Sequence, residues 1–149
     1  MIRKTISFEQ PFRFIDKNDS NKNFQNEFSG FNKIDLAYLV QINEKNLYVI
    51  VREFNDDILG FIVLKDRGTH FEIKLVERNR NISLPDIKAG AELIILTEDV
   101  SRQFDYKKLV LYSVENRISY YKNLGYVEKD TKITDPMYGT LTKMEKKLA

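Results

Sequence analysis

The chain has 149 residues, of which 42% are hydrophobic and 31% charged, a balance that is typical of one globular domain. Its formal net charge is only +2, from 24 basic and 22 acidic side chains, which disfavours a nucleic-acid-binding surface. It contains no cysteine and a single histidine, His70, so disulfides, thiolate chemistry and histidine-rich metal sites lack the residues they need. We therefore expect a single domain over residues 1–149 that binds neither a metal nor nucleic acid.

The pattern of apolar residues gives no sign of a membrane segment or an export signal. Residues 93–96 form one of the longest apolar stretches, whereas a membrane-spanning helix needs about 20 such residues. Residues 1–5 lack the apolar run of a signal peptide. These features predict a cytoplasmic protein that does not bind membranes.

A helix is predicted near the start of the chain. Ser20 is a good N-cap for a helix over residues 20–28, which Gly30 would end. Phe24, Phe28 and Phe31 are spaced for one helical face, and core packing is the favoured role of their rings, with a ligand pocket as the alternative. Residues 36–42 are apolar and fit either a helix or a strand.

Three strands are predicted next. Residues 47–51 and 58–65 are rich in β-branched and aromatic side chains and flank the turn signal at residues 55–57, so they should form an antiparallel hairpin. Residues 70–76 alternate between apolar and polar side chains, which indicates a third strand. Its predicted faces are Phe71, Ile73 and Leu75 on one side and His70, Glu72 and Lys74 on the other.

The second half of the chain alternates helices and strands. After a polar loop over residues 77–82, Ser83 and Asp86 have the spacing of a capping box, which predicts a helix that runs to about Phe104. Residues 108–114 are predicted as a strand. Strands joined through helices predict an α/β sheet of mixed direction with helices on its faces.

The end of the chain adds one more helix and two strands to this order. Residues 115–124 are predicted as a helix that Gly125 ends in the left-handed conformation. Strands are expected to begin near Tyr126 and over residues 141–144. The crossover through the long helix requires the strand that ends near Val76 and the strand over residues 108–114 to be parallel.

The most specific motif lies at residues 113–126, which read SVENRISYYKNLGY. A strand end, an Asn that opens a helix, a Tyr pair and a Leu-Gly-Tyr ending are spaced there as in the GNAT N-acetyltransferase superfamily. The chain resembles this superfamily from about residue 47 to residue 126. The resemblance implies a mixed, mostly antiparallel sheet with a central parallel strand pair that splays, helices on both faces, and acetyl-CoA as cosubstrate.

The resemblance also implies roles for individual residues. Asn116 would contact the pantetheine arm of CoA, and Tyr121 would protonate the departing thiolate as a general acid. Leu75 and Val76 would present backbone groups to pantetheine and polarise the acetyl carbonyl. Glu72 would take the proton of the amine, directly or through water.

The residues themselves leave alternatives to these roles. Asn116 can simply cap its helix, and Tyr121 can pack in the core. Glu72 can be a solvated carboxylate, and the same interpretation is stronger for Glu77, which lies at the end of the strand. His70 fits a surface position better than the role of a catalytic base.

The second half of the superfamily signature is degenerate in this chain. It normally reads Arg/Gln-x-x-Gly-x-Gly/Ala, and its small residues let backbone N–H groups at a helix N-terminus bind the CoA pyrophosphate. Residues 86–91 read DIKAGA, so Asp86 replaces the basic or amide residue and Ala89 replaces the first glycine. The resemblance assigns pyrophosphate binding to Lys88, Ala89, Gly90 and Ala91.

Two functions remain open at this point. The first is an N-acetyltransferase that moves the acetyl group of acetyl-CoA directly to an amine in a ternary complex. The second is a non-catalytic domain that binds CoA weakly or holds a protein partner in the same cleft. The sequence leaves the amine acceptor open, whether small molecule or protein, and also the oligomeric state, a homodimer included.

Overall fold

The computed structural model describes residues 6, 8–25, 35–136 and 138–149. The described elements of the first half are β1 (Phe12–Phe14), a 3-10 turn (Lys17–Asp19), α1 (Leu36–Lys45), β2 (Tyr48–Phe54), β3 (Asp57–Asp66) and β4 (Phe71–Arg78). The second half contains α2 (Ala89–Gln103), β5 (Lys108–Val114), a 3-10 turn (Glu115–Arg117), α3 (Ile118–Asn123), β6 (Val127–Asp135) and β7 (Gly139–Lys147). None of the helices in these ranges is long and apolar enough to cross a membrane.

The strands form one seven-stranded sheet in the order β1-β2-β3-β4-β5-β7-β6. All described neighbours are antiparallel except β4 and β5, which are parallel. The pairing of β4 with β5 begins at Phe71 with Leu109 and ends at Ile73 with Leu111, although both strands continue further. The two strands therefore separate at their C-terminal ends, which confirms the prediction of a splayed parallel pair.

Helices cover both faces of the sheet, as predicted. On one side, Ile50, Ile62 and Leu64 pack in a cluster with Leu93 and Ile94 of α2, and we call this side the α2 face. On the other side, the alternate residues Val49, Val51 and Val63 pack with Leu36 and Leu39 of α1, and we call this side the α1 face. The strands β2 and β3 thus divide their apolar side chains between two cores.

A β-bulge in β4 changes the faces that the sequence predicts. Val63 pairs with Leu75 and Leu64 pairs with Ile73, so Lys74 is an extra residue in β4. As a result Ile73 packs on the α2 face, whereas Leu75 packs on the α1 face. The prediction that these two side chains share one face was wrong, because the alternation restarts after the bulge.

One helix prediction is also corrected, and one ambiguous segment is resolved. Residues 20–25 form turns and irregular backbone rather than a helix, while Phe24 is buried against Phe61 with ring centroids 5.0 Å apart. The predicted roles of Phe28, Gly30 and Phe31 lie outside the described residues. The ambiguous segment over residues 36–42 is helical and begins after Asp35, whose carboxylate accepts the N–H groups of the first turn.

The start of α2 lies later than the sequence predicts. Pro85 and Asp86 form a tight turn that is closed by a hydrogen bond from the Ile87 N–H to the Leu84 carbonyl, 3.0 Å long. The helix therefore begins at Ala89, and its N-cap residue, Lys88, makes no capping hydrogen bond with its side chain. By contrast, the predicted end of the later helix is confirmed, because Gly125 follows α3 with a φ of 98°.

Candidate functional site

A cavity of about 420 Å³ opens where β4 and β5 separate. Its walls are the C-terminal halves of these two strands, the first turn of α2, the helix α3 and the start of β7. The cavity is lined by most of the residues that the sequence assigns to the site, namely Leu75, Val76, Lys88, Ala89, Gly90, Ala91 and Tyr121. One local defect in the sheet thus brings together segments that lie far apart in the chain.

The main chain of β4 offers hydrogen-bonding groups to this cavity. The Asn79 N–H donates to the Leu59 carbonyl at 2.8 Å, and the pairing between Val63 with Leu75 and Gly60 with Arg78 keeps the same register. Because backbone groups alternate along a strand, Leu75 and Glu77 must point theirs toward β3. The N–H and C=O groups of Val76 therefore turn toward the gap beside β5.

The N-terminus of α2 reaches the cavity because residue 60 is a glycine. A methyl group at Gly60 would lie 3.0 Å from the Ala89 methyl carbon and 2.9 Å from the Glu77 carbonyl oxygen. Ala89, which replaces the first glycine of the superfamily signature, therefore packs its own methyl group toward the sheet. On the cavity side, a methyl group at Gly90 would meet only the Tyr120 hydroxyl, at 3.8 Å.

Positive charge is concentrated around the first turn of α2. The backbone N–H groups at the start of a helix carry a partial positive charge, and the N-cap residue Lys88 makes no capping hydrogen bond to them with its side chain. Lys88 and Arg117 also line the cavity, and the guanidinium carbon of Arg117 lies 5.8 Å from the centroid of the Tyr120 ring. This part of the cavity is suited to an anionic group.

Tyr121 projects from α3 into the cavity. Its ring contacts that of Tyr120 edge to face, with centroids 5.2 Å apart, and lies 6.2 Å from that of Tyr126. Burial is the main cause that raises the pKa of Tyr121 to about 12; Tyr120 and Glu77 also raise it, and Arg117 lowers it. At neutral pH its hydroxyl is therefore protonated and able to donate a hydrogen bond.

Glu77 is the residue whose position the sequence did not predict. It was expected to be solvated, but its side chain is buried and lines the cavity. Burial, followed by the charge of Glu77, raises the pKa of Tyr138, which lines the same cavity. The bulge at Lys74 places Glu77, like Leu75, on the α1 face, opposite to the face of Ile73.

Glu72 and Asn116 lie outside the cavity lining. The Glu72 carboxylate accepts hydrogen bonds from Arg67 at 3.0 Å and pairs with Lys74 at 3.1 Å. Burial alone would raise its pKa, but these two cations outweigh burial and lower it. A carboxylate held in this way is a poor proton acceptor. Asn116 is exposed in the 3-10 turn that precedes α3.

Residues from both faces of the sheet line the cavity, and their chemistry differs between the two faces. On the α2 face it is bounded by α2, α3 and their cationic side chains, Lys88 and Arg117. On the α1 face it is bounded by Glu77, Tyr112 and Leu141. Leu111 and Met144 pack on the α2 face, so the alternation of side chains places Tyr112 and Leu141 on the α1 face. The geometry therefore separates an anion-binding side from a side that carries a buried carboxylate.

Neither a family model nor a curated protein matches the sequence, but solved structures match the fold. Ard1 from Thermoplasma volcanium has a TM-score of 0.71 at 15% identity, over 93% of this chain and 97% of that chain. A GNAT family acetyltransferase from Elizabethkingia anophelis with acetyl-CoA bound has a TM-score of 0.62 at 14% identity, over 94% and 100% of the two chains. The PaiA N-acetyltransferase from Thermoplasma acidophilum in complex with coenzyme A has 0.57 at 21% identity, over 75% and 68%. The chain has the GNAT acetyltransferase fold.

Proposed function

We propose that the chain is an N-acetyltransferase that transfers the acetyl group of acetyl-CoA to an amine. The observation that carries the proposal is the cavity between β4 and β5, which is lined by Val76, the N-terminus of α2 and Tyr121. Similar structures that contain CoA or acetyl-CoA support it.

The cosubstrate would enter from the α2 face. Its pyrophosphate would accept hydrogen bonds from the backbone N–H groups of residues 88–91, next to Arg117. Its pantetheine arm would lie along β4 like an added strand and pair with the main chain of Val76. Both proposed contacts are made by backbone groups. They therefore do not depend on the two signature side chains that Asp86 and Ala89 replace.

Glu77 and Tyr121 would share the proton transfers. The amine nitrogen attacks the thioester carbonyl, whose oxygen is polarised by the Val76 N–H. Glu77 takes the proton of the amine, directly or through water, in place of the role predicted for Glu72. As the C–S bond breaks, Tyr121 gives its proton to the thiolate of CoA, and the acetyl group remains on the amine as an amide.

The substitution Gly90→Leu tests the cosubstrate site. A leucine side chain would project toward Tyr120 and fill the space for the pyrophosphate. We expect acetyl-CoA affinity, measured by calorimetry, to fall roughly tenfold or more, which corresponds to about 1.4 kcal/mol, while the melting temperature without ligand stays unchanged. Unchanged affinity would mean that the pyrophosphate binds elsewhere.

Turnover distinguishes an enzyme from a binding domain. Release of the CoA thiol would be followed with a thiol reagent during incubation with acetyl-CoA and a panel of amines. An enzyme releases CoA in proportion to the acetylated amine found by mass spectrometry. Acetyl-CoA binding without release for any amine would instead favour the non-catalytic domain, for which the replacement of the signature residues at Asp86 and Ala89 is the supporting observation.

A further inference from the structure

The α1 face of β4, β5 and β7 is a charged surface beside the cavity. The helix α1 packs on β2 and leaves this part of the sheet uncovered by any described helix. The surface carries five cations around two carboxylates, and we call it the cationic face. The cations are Arg67, Lys74, Lys108, Lys129 and Lys143, and the carboxylates are Glu72 and Glu145.

Both carboxylates are already engaged by cations of the same surface. Glu145 pairs with Lys108 at 3.2 Å and with Lys129 at 3.9 Å, as Glu72 does with its own two cations. Lys143 makes no ion pair within the described part of the chain, although it lies beside Glu145 on β7. Over these seven residues the net charge is +3, and it is +2 when the adjoining carboxylate of Glu77 is included.

The cationic face continues into the side of the cavity that contains Glu77. Lys74 and Tyr112 line the cavity, and Lys143 is the cross-strand neighbour of Tyr112. An amine that reaches Glu77 from the α1 face must therefore bring the rest of its molecule over these lysines. The charge of this surface then acts on the rest of the acceptor molecule rather than on its amino group.

The width of the cationic face indicates the size of the acceptor molecule. Lys74 on β4 and Lys129 on β6 are separated by three strand spacings in the order β4-β5-β7-β6, which is about 14 Å at the usual spacing between strands. An extended polypeptide covers this distance with about four residues. A small amine that fills the cavity leaves most of the face without a contact.

Resting on the proposed function, we propose that the acceptor is an amino group on an acidic polypeptide segment, whose Asp and Glu side chains bind the cationic face. Opposite charges steer such a segment to the cavity and hold it there. A polyamine, by contrast, meets repulsion from the same lysines. The surface therefore selects a protein or peptide acceptor over a polycationic small molecule.

Two synthetic peptides of equal length test this inference. They share the same amino-terminal residue, and one carries Asp and Glu where the other carries Asn and Gln. We expect the acidic peptide to have a kcat/KM about tenfold higher at low salt, and we expect added salt to remove the difference. Equal values for the two peptides, or faster acetylation of spermidine, would overturn the proposal.

Variants at Lys143 assign the effect to this surface. Lys143→Glu should abolish the preference for the acidic peptide, and Lys143→Gln should reduce it, which covers the case in which the first variant folds poorly. Lys17→Glu makes the same change in net charge at the opposite edge of the sheet and should keep the preference. A loss in Lys17→Glu as large as that in Lys143→Glu would refute the assignment.

Direct binding separates this inference from the proposed activity. Fluorescence anisotropy of the labelled acidic peptide should show binding that Lys143→Glu weakens, even if no acetyl transfer occurs, and that outcome would contradict only the activity. Turnover of both peptides without a preference would contradict only the acidic segment. Tighter binding of a labelled oligonucleotide of equal charge, also lost in Lys143→Glu, would overturn the choice of a polypeptide.

Discussion

Glu77 and Tyr121 approach the same cavity from opposite faces of the sheet, one on β4 and the other on α3. Burial keeps Tyr121 neutral, and the charge of Glu77 makes ionisation of the phenol still less favourable. A base and an acid separated in this way suit a reaction in which one proton leaves an amine and another reaches a thiolate.

The substitution Tyr121→Phe tests the acid. Phe keeps the ring contacts with Tyr120 and Tyr126, so acetyl-CoA affinity should stay within a few-fold, while kcat falls by about 10²- to 10⁴-fold. Because the pKa of Tyr121 is about 12, the wild-type pH profile should show no loss from this group at neutral or mildly alkaline pH. Full activity of the Phe variant would show that Tyr121 only packs.

The substitution Glu77→Gln tests the base against a matched control. Gln preserves the size of the side chain, so acetyl-CoA affinity should persist while kcat/KM for the amine falls by about 10²- to 10⁴-fold. Glu72→Gln, five residues before Glu77 in the same strand, should keep the activity per folded molecule, because Glu72 pairs with Arg67 and Lys74 and does not line the cavity. A larger loss of kcat/KM in Glu72→Gln than in Glu77→Gln would reverse this assignment.

At the scale of elements, Gly60 of β3 sets the distance between the end of β4 and the first turn of α2. We expect Gly60→Ala to push Glu77 and Ala89 away and to weaken acetyl-CoA binding about tenfold in calorimetry, or about 1.4 kcal/mol. Adding Ala89→Gly should recover part of the affinity, since it removes one of the two close contacts. If Gly60→Ala binds acetyl-CoA as tightly as the wild type, the structure accommodates the added methyl group without changing the site.

A second variant in β3 distinguishes a local effect on the cavity from a general loss of stability. Val63 is buried on the α1 face, away from Ala89, so Val63→Ala should lower the melting temperature through lost packing. Its acetyl-CoA affinity, measured where both variants are folded, should equal that of the wild type. If it falls as far as in Gly60→Ala, general destabilisation accounts for both results.

Elements with strong local signals could be predicted from the sequence, and elements that depend on distant partners could not. The strand over residues 108–114 is found with those bounds, and the turn at Asn55 and Asp56 has the positive φ angles that such residues tolerate. The face of Glu77 could not be predicted, because the bulge at Lys74 exists only in the pairing with β3. The fit of Ala89 could not be predicted either, because its methyl group packs against Gly60, which is distant in the sequence.

At the scale of the whole molecule, the sheet has two parts that meet at a short seam. β1 to β4 form one part and β5 to β7 the other. Among the described residues, three strand-paired residue pairs join β4 to β5, from Phe71 with Leu109 to Ile73 with Leu111. The α2-face cluster, which draws side chains from both parts, provides the remaining connection. A ligand between the C-terminal ends of β4 and β5 would extend this seam.

Hydrogen exchange should show whether acetyl-CoA extends the seam between β4 and β5. The Val76 N–H faces the gap beyond the last pair of β4 and β5, so we expect acetyl-CoA to slow its exchange strongly. The Leu75 N–H faces β3 and serves as the internal control, with little change. At an acetyl-CoA concentration of 100 times Kd, the free energy of unfolding should rise by about 2.7 kcal/mol. Equal changes at the two residues would show that the ligand acts on the whole domain rather than on the gap.

The gap beside Val76 has a consequence for how freely this sequence can diverge. A binding surface made from main-chain N–H and C=O groups is present whatever side chains the strand carries, provided that the strand keeps its path. Substitutions can therefore accumulate along β4 and in the turn before α2 without removing the hydrogen bonds that such a surface offers. This fits the finding that chains of 14–21% identity share the fold, while no family model matches this sequence.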